Sequence, residues 1–219
     1  MKNIYARIAI VFCMMLFPLI CTEAHGGASA EAERVITELQ KRYESIDSLE
    51  AAFTQEVVSR HTKSAEKYEG TVYLKKPGKM KWVFAKPTKD FIVSNGKTMW
   101  IYQSDLSQVF ETQVGKAASN LAIDFLSGLG SVKKNFELTK EEDKGAIFIL
   151  KLVPRTPQPN MMRLTIEVDK KSWFAVRATI EDSFANTTRL TFRNIKTGET
   201  RQDSFFEYTP PKGAKVLRP

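Results

Sequence analysis

Residues 70–102 read GTVYLKKPGKMKWVFAKPTKDFIVSNGKTMWIY, and the class of the fold turns on them. Apolar and polar residues alternate with a period of two through 71–74, 80–84, 91–93 and 98–102, which is the repeat of a strand lying between a core and water. Pro77-Gly78, Pro87 and Asn95-Gly96 fall between these runs. Asn-Gly between two apolar runs predicts a tight hairpin, since both residues tolerate positive φ. Within 79–84 the alternation sets Met80, Trp82 and Phe84 against Lys79, Lys81 and Val83. One side is large, soft and apolar, and the other is mostly cationic. The apolar side is either an ordinary core or a surface for a guest. The lysine side is available to acidic partners or phospholipid headgroups, which predicts salt-sensitive docking.

The same pattern extends in both directions. Before it, residues 31–47 place Val35, Ile36, Leu39, Tyr43 and Ile46 at helical spacing. A period of two then runs from Leu49 to Val57. After it, 106–114 read as a further strand, and 116–132 break the repeat. There, Leu121, Phe125 and Leu126 with Gly128 and Gly130 predict a short helical insertion. Strands resume around Phe148–Leu152, Leu164–Val168, Phe174–Ala178 and Leu190–Phe192, with a last aromatic strand at Phe205 or Phe206 with Tyr208. The order is helix, strands, helical insertion, strands, about ten strands in all. It predicts a mainly β fold, a strongly curved antiparallel sheet or barrel whose hollow the two helical segments fill.

The first 30 residues read differently. Lys2 and Arg7 precede thirteen uncharged residues, Ile8 to Ile20, and small residues follow from Ala24 to Ala30. This is the layout of a secretory signal peptide cleaved near 26–30, and the run is short of the ~20 residues of a membrane-spanning helix. Residues 31–219 then form a single domain. Both cysteines, Cys13 and Cys21, lie in the signal, so no disulfide is expected afterwards. The whole chain carries a net charge of +8, and losing two cations and one anion with the signal leaves +7. Its basic residues are scattered, with no arginine-rich helix, which argues against nucleic acid.

Catalytic chemistry is hard to find. One histidine, His61, remains after the signal, in the polar run Ser59–Ser64, and reads as an exposed loop residue. His and Cys metal sites are thereby excluded, and no cofactor is expected. There is no GxSxG, GxxxxGK[ST] or GxGxxG. Glu141-Glu142-Asp143 reads as a solvated hairpin tip, which leaves only carboxylates distant in sequence as a route to an enzyme.

The ordered set of motifs resembles the LolA family of periplasmic lipoprotein carriers. The matching pieces are Phe53-Thr54-Gln55, Gly70, the Lys76-Pro77-Gly78 turn, Trp82, Pro87, Ser94-Asn95-Gly96-Lys97, Trp100 and Tyr102. Near the end Phe206-Glu207-Tyr208-Thr209-Pro210-Pro211-Lys212-Gly213 is similar to the family's closing segment. The likeness covers residues 31 to about 216. It implies an unclosed β-barrel capped by an N-terminal helix and a helical lid, with a hydrophobic cavity between them and no catalysis. It also implies a monomeric periplasmic chaperone whose cargo is the acyl chains of lipoproteins. The cargo is received from an inner-membrane ABC exporter of the LolCDE type and passed to an outer-membrane receptor of the LolB type. The cavity lining expected on this basis is Phe53, Leu74, Met80, Trp82, Phe84 and Trp100, with Leu121, Phe125 and Leu126 from the lid. The family's lid latch, an arginine before the first hairpin proline, is Lys76 here; it keeps the charge without the planar fork of donors, so it is expected to reach one lid carbonyl and hold it less specifically. The alternative is a LolA-like lipid or glycolipid shuttle, or an envelope sensor module, in another export system.

Overall fold

The computed structural model describes residues 28–114, 131–158 and 160–218. Helix α1 (Ala30–Glu44) is followed by strands β1 (Ser48–Val58), β2 (Ala65–Lys75), β3 (Lys79–Lys86), β4 (Phe91–Asn95), β5 (Thr98–Gln103) and β6 (Gln108–Gln113). After a one-turn helix α2 (Val132–Asn135) come β7 (Phe136–Lys144), β8 (Ile147–Pro154), β9 (Arg163–Asp169), β10 (Ala175–Glu181), β11 (Thr187–Thr197) and β12 (Lys215–Leu217). The twelve strands among the described residues form one sheet, ordered β12-β6-β5-β4-β3-β2-β1-β11-β10-β9-β8-β7. The terminal strands β12 and β7 do not pair with each other, so the curved sheet stays unclosed. The signal peptide and the insertion with Leu121, Phe125 and Leu126 lie outside the described residues.

Helix α1 starts where Ser29 accepts a hydrogen bond from the Ala32 amide at 3.1 Å, a serine N-cap. Its apolar stripe, Ala32, Val35, Ile36, Leu39 and Tyr43, is buried on one face of the sheet, here called the inner face. That face carries Phe53 of β1, Trp82 of β3, Leu150 and Leu152 of β8, Ile166 of β9 and Phe192 of β11 in one continuous core. The Tyr43 ring meets Phe174 edge-on at 5.6 Å, and the Arg42 guanidinium lies 4.5 Å from the centre of the same ring.

The other face has its own, smaller core of Val93, Trp100, Val109 and Phe206, with Tyr73, Phe91, Tyr102 and Tyr208 around it. The C-terminal segment crosses this outer face. Residues Asp203–Phe206 are a 3-10 turn where the aromatic pattern predicts a strand. The ladder has no room for one there: β6 takes β12 as its parallel neighbour instead, Lys215 opposite Gln108 and Leu217 opposite Phe110. Lysines of β2 and β3 hold this strap in place. Lys75 and Lys79 pair with Asp203 at 2.6 and 3.2 Å. Lys81 donates to the Phe205 carbonyl at 3.2 Å and lies 4.4 Å from the centre of the Phe205 ring, and its burial there lowers its pKa. Lys79 and Lys81 are therefore internal fasteners, and the expected salt-sensitive docking through them is withdrawn.

Candidate functional site: the inner face beneath the first helix

Strand alternation sets the geometry of the inner face. In β3, Trp82 stands opposite Val72 of β2 and Ile92 of β4. The rung continues to Ile101 of β5 and Phe110 of β6. Met80 stands opposite Leu74 in the same way. On the other side of β2, Phe53 faces both Gly70 and, across the central seam, Phe192 of β11. The rings close up: Phe53 lies 4.9 Å from Trp82 and 5.2 Å from Phe84, and Trp82 lies 6.2 Å from Phe192. Such edge-on aromatic contacts add to the burial of area and fix the relative angles of the rings.

Gly70 makes this packing possible. A Cβ there would come within 2.1 Å of the Val83 carbonyl oxygen and 2.7 Å of the Phe53 ring. The β2–β3 register shifts by one residue beside it, between Glu69 and Gly70. A bulge and a bare Cα together let Phe53 lie flat against the strand.

Of the residues expected to line a cavity, Phe53, Leu74, Met80 and Trp82 are buried together on this face, with Phe84 half-buried beside them. Trp100 is not among them. Its opposite neighbour is Val93, whose opposite neighbour is Lys81, so Trp100 belongs to the outer face. There its indole donates to Glu111 at 3.3 Å. A large aromatic in an apolar run does not disclose its face; the pairing register does. The sequence reading also missed Val72 and Ile92, which sit directly beside Trp82 and were open to the same register argument. It missed Phe192 and Ile195 as well, which reach the site only through the pairing of β1 with β11.

The space left between Tyr43 and the sheet is small. A cavity of about 10 Å³ lies among Tyr43, Leu49, Val72, Leu74, Trp82 and Phe192, with Ala51 and Ile195 closing it. A second of the same size adjoins it, sharing Tyr43, Leu49 and Leu74 and reaching Ser48 and Lys76. In this conformation α1 fills the hollow under Tyr43. Burial and the loss of water hold the Tyr43 phenol neutral, its pKa pushed well above that of a free tyrosine.

Lys76 has a different partner from the one expected. Its ammonium donates to the carbonyls of Tyr43 at 2.6 Å and Glu44 at 2.8 Å, the last turn of α1. The unpaired carbonyls of a helix C-terminus carry partial negative charge and attract a cation. A single flexible ammonium reaches two adjacent carbonyls without a planar fork. Lys76 fastens the N-terminal helix, while the insertion expected to carry the latched lid lies outside the described residues. Lys76→Met keeps the stem and removes the charge. It is expected to cost ~1 kcal/mol, read as a lower urea midpoint with an unchanged slope.

Among the described residues no polar cluster competes with this face. No group of three His, Cys, Asp or Glu side chains there is placed to hold a metal ion. His61 lies exposed in the turn after β1. Glu142 belongs to β7, short of the hairpin tip, and is ringed by Lys151 at 2.8 Å and by Lys140 and Lys144, both at 3.5 Å. Its hydrogen bond with Lys151 leads in lowering its pKa to about 2. It is a surface ion-pair centre. No helix among the described residues is long and apolar enough to cross a membrane.

Comparison with known proteins agrees with this geometry. A family model described as outer membrane lipoprotein carrier protein LolA matches residues 44–209. The outer-membrane lipoprotein carrier protein of Methylococcus capsulatus is 29% identical over 204 residues, 93% of this chain and 96% of that protein. Its namesake in Dechloromonas aromatica is 27% identical over 215 residues, 98% of each. An uncharacterized conserved protein from Thermus thermophilus shares the fold, with a TM-score of 0.53 at 18% identity over 86% of this chain and 99% of that one. The match runs from the last turn of α1 through the strap on the outer face, and on it the chain belongs to the LolA family of outer membrane lipoprotein carrier proteins.

Proposed function

We propose that the protein is a periplasmic, non-enzymatic carrier that shelters the acyl chains of lipoproteins on the inner face of its sheet. In this reading it receives them from an inner-membrane ABC exporter of the LolCDE type and delivers them to an outer-membrane acceptor of the LolB type. The observation that carries the reading is one apolar face, from Phe192 through Phe53 and Trp82 to Ile92, under a helix fastened at its end by one lysine. An acyl chain left in water costs about 0.8 kcal/mol per CH₂, so a soluble carrier has to cover much of it. Around Tyr43 the inner face is already covered by α1. A guest entering there exchanges the protein's own apolar contacts for new ones, and only the difference appears as affinity. Exchange of this kind permits release without a nucleotide.

Phe84 gives the cleanest test, because it is half-buried at the margin of the core, against Phe53 and Tyr68. A glutamate there reaches water without breaking the core, whereas one in place of the fully covered Trp82 threatens the fold itself. Phe84→Glu is expected to lower affinity for a fluorescent fatty-acyl probe at least tenfold, with an unchanged circular dichroism spectrum. Unaltered binding by that variant counts against the inner face as the site. Mass spectrometry of what co-purifies with the exported protein then names the cargo, and glycolipids in place of lipoproteins would redirect the reading to a different shuttle.

A further inference from the structure

The indole N–H of Trp82 is buried and has no hydrogen-bond partner among the described residues, and the residue as a whole is only 3% exposed. Buried donors are almost always paired, and leaving one unpaired is costly, so an orphan at the centre of the candidate site calls for a reason. A trapped water does not supply one. The adjoining cavity of about 10 Å³ is at the lower limit for a single water, which needs two to four polar partners. The side chains around it are those of Leu49, Val72, Leu74, Phe192 and Ile195, together with Tyr43, whose hydroxyl is already hydrogen-bonded to the Ala175 backbone. The counterpart tryptophan on the outer face, Trp100, has its carboxylate partner. Trp82 is therefore a donor in apolar company, on the face where a guest would enter.

Resting on the carrier reading above, we infer that the Trp82 indole N–H is the polar anchor of the site and donates to an ester carbonyl of a diacylglyceryl group. The class of ligand follows from the donor. A hydrocarbon tail offers no acceptor, while the first carbon of an ester-linked chain carries one strong acceptor next to a long apolar body. The N–H then fixes how deep the chain sits, with its carbonyl at the level of Trp82 and its tail along the Phe53 and Phe84 side. Binding satisfies a donor that the closed protein leaves unpaired, so selectivity for ester over ether linkage is built into the closed state.

Full-length exported protein, 1,2-dioctanoylglycerol and its di-O-octyl ether analogue make the test. Each glyceride is competed against a fluorescent fatty-acyl probe for wild type and for Trp82→Phe, which keeps an aromatic body and removes the donor. The wild-type ester-to-ether preference is expected to exceed that of Trp82→Phe by about three- to tenfold, the worth of one net hydrogen bond. Independently of the variant's folding, the wild-type indole ¹H–¹⁵N signal of Trp82 is expected to move downfield with the ester and not with the ether. Equal preferences in both proteins, or an indole signal that responds alike to both glycerides, overturn the anchor and leave the carrier reading standing. Failure of both glycerides to displace the probe from wild type overturns the carrier reading with it.

Discussion

Gly70→Ala is expected to destabilise the protein by ~3 kcal/mol, a large loss for one methyl group. The added Cβ meets the Val83 carbonyl oxygen at 2.1 Å and the Phe53 ring at 2.7 Å. A flexible side chain could swing away, but the first obstacle is the backbone of the neighbouring strand. Relief requires β3 to move off β2, which drags Trp82 away from Val72 and Phe53. The damage therefore falls on both the fold and the site. Urea unfolding followed by tryptophan fluorescence measures it, and the acyl-probe affinity of the folded fraction should drop in parallel. A loss below ~1 kcal/mol would mean that the bulge at Glu69 and Gly70 yields far more easily than a packed antiparallel ladder should.

Tyr43→Ala is expected to separate stability from binding. The ring is buried against Phe174 and closes the cavity above Trp82. Removing it should cost ~3 kcal/mol, as other deletions of a buried aromatic do. It also opens an apolar space beside Trp82, and dry apolar cavities of that kind accept small apolar guests. The variant should unfold earlier and yet hold the acyl probe more tightly, since part of the cover that a guest must displace is already gone. Isothermal titration at a temperature where both proteins are folded gives the comparison. Weaker probe binding by Tyr43→Ala would show that Tyr43 is a contact for the guest and not part of the cover.

Much of this was legible from the chain itself. The period of two in 71–102, punctuated by Pro77-Gly78, Pro87 and Asn95-Gly96, locates β3 to β5 closely but only the end of β2, which begins at Ala65, because each run is half-buried and each break is chemically forced. The hairpin at Asn95 works differently from the expectation. Gly96 alone takes positive φ, at 91°, while the Asn95 carboxamide accepts the amides of Lys97 and Thr98. Alternation failed where the ladder is irregular. In β10 the register slips between Ala175 and Arg177, so Ala175 joins Phe174 and Ala178 in the core and Val176 does not. The strap was hidden for another reason: Phe205, Phe206 and Tyr208 carry the composition of a strand, and only the lysines that bind their segment across the outer face show otherwise. The orphan indole is beyond any sequence reading, since it is defined by partners that are not there.

Strand β1 has an uncommon place for the first strand of a sheet. It sits in the middle, with β2 on one side and β11 on the other. The pairing with β2 needs only a short turn, but Leu49 meets Thr197 and Val58 meets Thr187 across well over half of the chain. On either side the sheet is a meander of neighbours in sequence, β2 to β6 and β7 to β11, each able to form locally. The two meanders become one surface only when β1 finds β11, the pairing that loop-closure entropy delays longest. Until that pairing forms, the protein is thus two half-sheets without the keystone between them. Any lesion in β1 should leave both halves folded enough to expose their greasy sides, which makes this strand the place where misfolding turns into aggregation.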